Sequence, residues 1–274
     1  MEEYEIIQKS ITTTYRKKIW KNFVKAISDF EMIQDGDKIA VCISGGKDSM
    51  LLAKCMQEIK KHKKMNFELE FICMNPGYSK PNLEKIISNA KLLNIPLHIF
   101  NSPIFNSVER IEDNPCYICA RMRRGYLYEE AKRLGCNKIA LGHHFNDVIE
   151  TILMGMFYGS QFQTMMPKLK STSHPGMELI RPLYFVNEED IIHWKDRNNL
   201  EFIACACRLT ENITFNEEGQ SNSKREEMKK LIKRMKEFNP NIEKNIYNST
   251  LNVNLSTIIS YQQKGKTTTF LDNY

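Results

Sequence analysis

The sequence predicts an α/β fold built on a doubly wound, mostly parallel sheet. Two observations carry this. Short apolar runs alternate with stretches of helical period over residues 38–159, and a Gly-Gly pair stands where the first apolar run gives way to the stretch after it. The runs are nearly continuous in apolar character, as expected for strands covered on both faces.

The elements follow in chain order. YRKKIWKNFVKAISDF (15–30) spaces apolar residues at helical period between basic ones and predicts an N-terminal amphipathic helix. Asp35-Gly36 is a turn signal, after which KIAVCI (38–43) reads as a buried strand. DSMLLAKCMQEIKKH (48–62) is a helix opened by polar residues. Strand FELEFICM (67–74), helix PNLEKIISNAKLLN (81–94) and strand PLHIFN (96–101) come next. A helix over 117–135, strand KIALG (138–142) and helix DVIETILMGMFYG (147–159) continue the alternation. Beyond it stand a loop at Met165–Lys168, an apolar ELIRPLYF (178–185) and a helix over 188–199. A polar run at 211–224 reads as loop, basic helices are expected over 224–237 and 241–250, and the tail from Ser256 carries no clear signal. The expected organisation is a helical extension at 1–35, a nucleotide-binding domain at 36–210 and a basic helical region at 211–274.

Composition narrows the function classes. With 274 residues, 42% hydrophobic and 26% charged, the chain can bury a full core and is not of the disordered type. It has no run of 18 apolar residues, and MEEYEIIQKSITTTYRKK lacks an apolar signal core, so the cytoplasm is the expected compartment and no membrane partner is expected. The net charge of +6 has two readings, a lysine-rich surface or attraction to a polyanion. Among the 8 cysteines, Cys42, Cys55, Cys73 and Cys136 stand singly in apolar stretches and read as buried hydrophobes. The others are paired, Cys116 with Cys119 and Cys205 with Cys207.

Ser44-Gly45-Gly46-Lys47-Asp48-Ser49 falls at the carboxyl end of the first strand, where α/β sheets bind nucleotides. Backbone N–H groups of a glycine turn, with a helix N-terminus behind them, form a concave anion site that a Cβ would obstruct. A Walker loop is excluded, because Val41 stands where its first glycine belongs and Asp48 follows the lysine; a dinucleotide G-x-G-x-x-G is absent.

DNPCYICARMRRGYLY (113–128) puts two thiols three residues apart at the start of a helix. There the dipole and Arg121, Arg123 and Arg124 favour thiolates. Such a pair serves as a redox dithiol, half a zinc site or an iron–sulfur ligand pair. In GHHFNDVIET (142–151), Gly142 lets the chain turn and Asp147 opens the following helix.

SGGKDS resembles the PP-loop of the N-type ATP pyrophosphatases. Together with PCYIC, RMRRGYLY, GHHFNDVIET, MFYGS, MPKL, IRPL and CACR in this order, residues 38–210 resemble the tRNA 2-thiocytidine synthetase branch of that family. The resemblance implies ATP as substrate, AMP and pyrophosphate as products, and Mg²⁺. It places ATP on Ser44, Gly45, Gly46, Lys47, Asp48 and Ser49, with adenosine near Met74, Gly142 and His143. Lys47, Asp48 and Asp147 take the catalytic roles, aided by Arg123 or Arg124. A [4Fe-4S] cluster on Cys116, Cys119 and Cys205 is implied, with Cys207 as the alternative third ligand. Also implied are tRNA as partner, a sulfur donor (a cysteine desulfurase or free sulfide) and a homodimer. Lys229, Lys230, Lys233, Arg234 and Lys236 are expected on RNA phosphates or on a solvated helix face. Two departures stand out: Asn146 occupies the place of a frequent aspartate, and the distal pair is C-x-C. Rival readings are a PP-loop sulfur transferase for another nucleoside or a small molecule, a tRNA lysidine synthetase-like enzyme, and a zinc-stabilised RNA-binding module.

Overall fold

The first apolar run forms β1 (Lys38–Cys42), and its neighbours explain why it is apolar throughout. It pairs in parallel with β2 (Glu68–Asn75) on one side and β4 (Lys138–Ala140) on the other, Ala40 lying opposite both Glu70 and Ile139. Ala40 and Cys42 face one layer and Ile39 and Val41 the other, and all four are buried, so both faces are covered. The computed structural model describes residues 2–104, 115–203 and 224–274.

The six-stranded sheet has the order β3-β2-β1-β4-β6-β5, with β3 at Leu97–Asn101, β5 at Lys168–Lys170 and β6 at Glu178–Ile180. All pairs are parallel except β5–β6. The helices are α1 (Glu3–Thr12), α2 (Lys21–Asp29), α3 (Lys47–Lys61), α4 (Lys80–Leu92), α5 (Pro115–Arg133), α6 (Phe145–Gly159) and α7 (Glu188–Arg197). Tyr128 and Ala131 of α5 pack on Ala40, Cys42, Ile72, Ile139 and Leu179. The chain runs from β1 through β2 to β3 in one direction and places β4 on the other side of β1. The switch point therefore lies at the carboxyl ends of β1 and β4, which is where such sheets bind ligands.

The opposite ends of these strands are held by a buried ion pair. Lys138 Nζ lies 2.7 Å from Asp37 Oδ2 and donates to the Met32 carbonyl, while Asn137 Nδ2 donates to Asp37 Oδ1. The four lone cysteines are buried and free, as expected, and burial pushes the Cys73 thiol up to about 12.

Several elements differ from expectation. The helix expected at 15–30 is a π-helical turn (Arg16–Trp20) followed by α2, and α1 precedes it. A capping box between Glu2 and Glu5 starts α1, and the run Thr12-Thr13-Thr14 ends it, since β-branched hydroxyl residues fit helices poorly. Within the segment at 165–170, β5 pairs with β6. The strand in ELIRPLYF stops at Ile180, before Pro182 would remove a ladder donor.

The described residues fall into two compact units. The unit that holds the six-stranded sheet comprises 2–148 and 166–203. The other comprises 149–165 and 224–274 and contains α8 (Lys224–Phe238), α9 (Ile242–Ser249) and a hairpin of β7 (Ser260–Gln263) and β8 (Lys266–Thr269). In this unit the buried Glu150 carboxylate faces Arg225 at 3.5 Å and Lys229 at 3.9 Å, and Tyr158 donates to Glu227. Lys236 pairs with Glu243 at 3.0 Å, so two of the five cations named from the sequence lie near carboxylates of the same unit.

Candidate functional site

The loop after β1 folds back on itself before α3 begins. Ser49 Oγ donates to the Gly46 carbonyl at 2.9 Å and accepts from Ser44 N at 3.2 Å, so this hydroxyl braces the loop from a buried position. Gly45 has φ +87°, and a Cβ there would come within 2.5 Å of Ile86 and 2.7 Å of Ile203. Gly46 is the extended N-cap of α3 and no side chain caps it, which leaves the helix's first-turn amides directed toward the switch point. Gly142, after β4, presses against the same helix end: its Cβ would stand 3.1 Å from Asp48 C and Ser49 N.

A cavity of about 320 Å³ opens here, lined by Ser44, Asp48, Ser49, Met74, Gly142, His143 and Asp147 among others. Its far wall comes from Arg123 and Leu127 of α5 and from Tyr78. Tyr78 is delivered by an Asx turn in which Asn75 Oδ1 accepts from Gly77 N and Tyr78 N. A larger cavity of about 640 Å³ beside Trp20 and Ile59 contains none of the loop's residues.

Charge concentrates at the loop. Lys47 Nζ lies 2.9 Å from Glu188 Oε1 at the start of α7 and 3.2 Å from Asp48 Oδ1. Burial works against the Lys47 charge, but Asp48 and Glu188 outweigh it and hold its pKa above the ordinary value. Burial raises Asp48 despite the opposing pull of His144 and Lys47. His144 is buried between carboxylates, its Nε2 3.8 Å from Asp48 and 3.9 Å from Glu188, its Nδ1 3.5 Å from Asp147. Asp147 Oδ2 accepts from His144 N at 3.0 Å, reaching back over the start of α6, which begins two residues before the expected Asp147.

The structure thus brings Ser44, Asp48, Ser49, Met74, Gly142, His143 and Asp147 to one cavity wall, while Lys47 turns toward Glu188. Of the two arginines expected to assist, Arg123 lines this cavity. Sequence reasoning did not single out Glu188. Its signal was Asn146, whose Oδ1 accepts from Glu188 N at 2.9 Å and so ties α7 to α6. Cys116 and Cys119 lie on α5 with side chains outside the described residues, and Cys205 and Cys207 lie wholly outside them. Helix α5 supplies Arg123 to the cavity, and Ile203 lies against Gly45.

Among the described residues, no group of three or more His, Cys, Asp or Glu side chains forms a metal cage. The pair Asp48 and Asp147 suits Mg²⁺, which is ordinarily held by one or two carboxylates plus water and substrate phosphates. No helix among the described residues is long and apolar enough to cross a membrane.

A glycine turn and a bare helix N-terminus at the switch point of a parallel sheet define a nucleotide-binding α/β protein that grips phosphate with backbone amides. The PP-loop domain matches residues 12–216. The tRNA-cytidine(32) 2-sulfurtransferase of Paraburkholderia xenovorans (strain LB400) is 34% identical over 252 residues, covering 90% of this chain and 71% of that protein. The enzyme of the same name from Herminiimonas arsenicoxydans is 35% identical over 249 residues, covering 89% and 73%. A U34-tRNA thiolase from Methanococcus maripaludis, solved with its [4Fe-4S] cluster, shares the fold with a TM-score of 0.65 at 19% identity, over 85% of this chain and 79% of that one. The chain belongs to the PP-loop family, in the branch of the tRNA-cytidine 2-sulfurtransferases.

Proposed function

We propose that the protein is an ATP-dependent tRNA sulfurtransferase that adenylates the C2 oxygen of a cytidine and replaces it with sulfur. The single observation that carries the reading is the convergence of the α3 N-terminus, Asp48 and Asp147 on one cavity, with Lys47 at 3.2 Å from Asp48, in a chain of this family. The α3 amides and Lys47 take the pyrophosphate portion of ATP, whose phosphates compete with Glu188 for the lysine. Asp48 and Asp147 hold Mg²⁺. Met74, Gly142 and His143 bound the adenosine, and Arg123 stabilises charge on the phosphates.

The C2 oxygen attacks the α-phosphorus and pyrophosphate leaves. Sulfide then adds at C2 and AMP departs with the original oxygen, so each turnover yields AMP and pyrophosphate.

Three soft thiolates fit an iron–sulfur centre by their chemistry. We assign Cys116, Cys119 and Cys205 to it. When bound, a [4Fe-4S] cluster with three protein ligands supplies an iron that can carry sulfide. The sulfur donor is a desulfurase or free sulfide, the assembly a homodimer and the compartment the cytoplasm.

Iron and acid-labile sulfide analysis after anaerobic purification tests the assignment. About four irons per chain, retained in Cys207→Ser and lost in Cys205→Ser, is the expected result. Zinc without sulfide would overturn it, as would the reverse behaviour of the two variants.

A further inference from the structure

A second cleft, of about 710 Å³, lies on the other side of α5 from β3, between that helix, β5 and the connection to β6. Arg121 and Arg124 enter it from α5 and Lys170 from the end of β5, and no Asp or Glu lines it. Its floor carries the hydroxyls of Ser171 and Ser173.

Several surface cations elsewhere in the unit have carboxylate partners: Lys18 with Asp190 at 3.0 Å, Lys38 with Glu70 at 3.0 Å, Lys85 with Glu201 at 3.0 Å and Arg133 with Glu130 at 2.6 Å. Arg121, Arg124 and Lys170 form no ion pair with a described residue. Behind them the buried Arg181 donates to the Met166 carbonyl, and its pKa is lowered to about 10, by burial first and by the Arg124 charge next. Gathering like charges without compensation costs stability unless a polyanion supplies the countercharge.

The wall is also built in advance. Ser171 Oγ accepts from His174 N at 3.1 Å, Ser171 N donates to the Met177 carbonyl at 2.8 Å, and Met177 N returns to the His174 carbonyl at 3.1 Å. Ser173 Oγ bonds His174 Nδ1 at 2.9 Å, and the imidazole stacks on Tyr128 with centroids 5.0 Å apart and planes at 20°. Cations paired with an aromatic stack are what single-stranded nucleic acid requires, phosphates on the first and bases on the second. A duplex would offer no unstacked base to such a platform.

We infer that this cleft binds a single-stranded stretch of the RNA substrate, with Arg121, Arg124 and Lys170 on its phosphates and a base added to the Tyr128–His174 stack. The inference rests on the proposed tRNA substrate and extends it. Because α5 serves both this cleft and the nucleotide cavity, and a helix is about 10 Å across, the strand held here lies within a few nucleotides of the base being modified.

The test is an anisotropy titration of labelled tRNA transcript with the full chain at several KCl concentrations, with ATP binding measured on the same preparations. Arg121→Gln combined with Lys170→Gln should weaken RNA binding at least tenfold and reduce the salt slope by about 1.5, with ATP affinity unchanged. His174→Ala should weaken RNA binding about tenfold at an unchanged slope, because stacking releases no counterions. Wild-type affinity and slope in both variants would overturn the cleft assignment and leave the sulfurtransferase reading standing. If the wild-type chain does not bind tRNA at all, both fall.

Discussion

Gly142 has no room for a methyl group. Its Cβ would meet backbone atoms of Asp48 and Ser49 at 3.1 Å, and backbone cannot swing aside as a flexible side chain can. Gly142→Ala should therefore displace the start of α3, lowering stability by about 1–3 kcal/mol and weakening ATP binding. Thermal melts and nucleotide titration check both effects, and unchanged ATP affinity would contradict the close approach. Lys47→Ala removes a charge-assisted contact of about 1.5–3 kcal/mol, a loss of roughly 10–150-fold in ATP affinity by calorimetry. At this scale the loop was legible because its chemistry is local: glycines, lysine and carboxylate stand within six consecutive residues. Glu188 was not, because it lies 141 positions from Lys47 and only the packing of α7 on α3 brings them together.

The elements stay in place through contacts that can be tested one by one. Lys138 and Asp37 form a buried pair at the strand ends away from the site. Lys138→Ala would leave the Asp37 charge buried without its ammonium partner and should cost about 3–5 kcal/mol, measured by denaturant unfolding. At the outer edge, Glu130 of α5 bonds Arg133 and His98 of β3, and these hold its carboxyl down at about 2 against burial, Arg133 contributing most. A depressed carboxyl contributes stability above its unfolded value near 4.5, and that contribution is lost as pH falls toward 2. The acid limb of the stability curve over this window should be shallower in Glu130→Gln, and an identical limb would contradict the pairing.

The inner strands were readable because burial on both faces leaves one residue class. The edge strand β5 was not, since Lys168, Leu169 and Lys170 are too few and too polar to show a pattern. The β7–β8 turn was hidden for a different reason. Lys264 and Gly265 both take positive φ, 49° and 79°, and lysine at the first of these positions gives no hairpin signal.

For the molecule as a whole, the order of strands decides what the parts can do together. Placing β4 beside β1, with β2 and β3 on the other side, opens the switch point, and the loops after β1 and β4 meet there across from α5. That much follows from the alternation of strands and helices in the sequence. The arginine-lined cleft was harder to foresee, because Arg121 and Arg124 meet Lys170 only after β5 folds back on β6.

Adenylation of a tRNA base on this loop, so that sulfur can replace its oxygen, is tested by incubating the anaerobically purified chain with unmodified tRNA, ATP, Mg²⁺ and sulfide. 2-Thiocytidine in the digested tRNA is then quantified by mass spectrometry alongside AMP and pyrophosphate. Thiolated cytidine, AMP and pyrophosphate should form together, and all three should be lost in Lys47→Ala. Release of ADP and phosphate, or tRNA cytidine that stays unthiolated while ATP is consumed, would contradict adenylation on this loop.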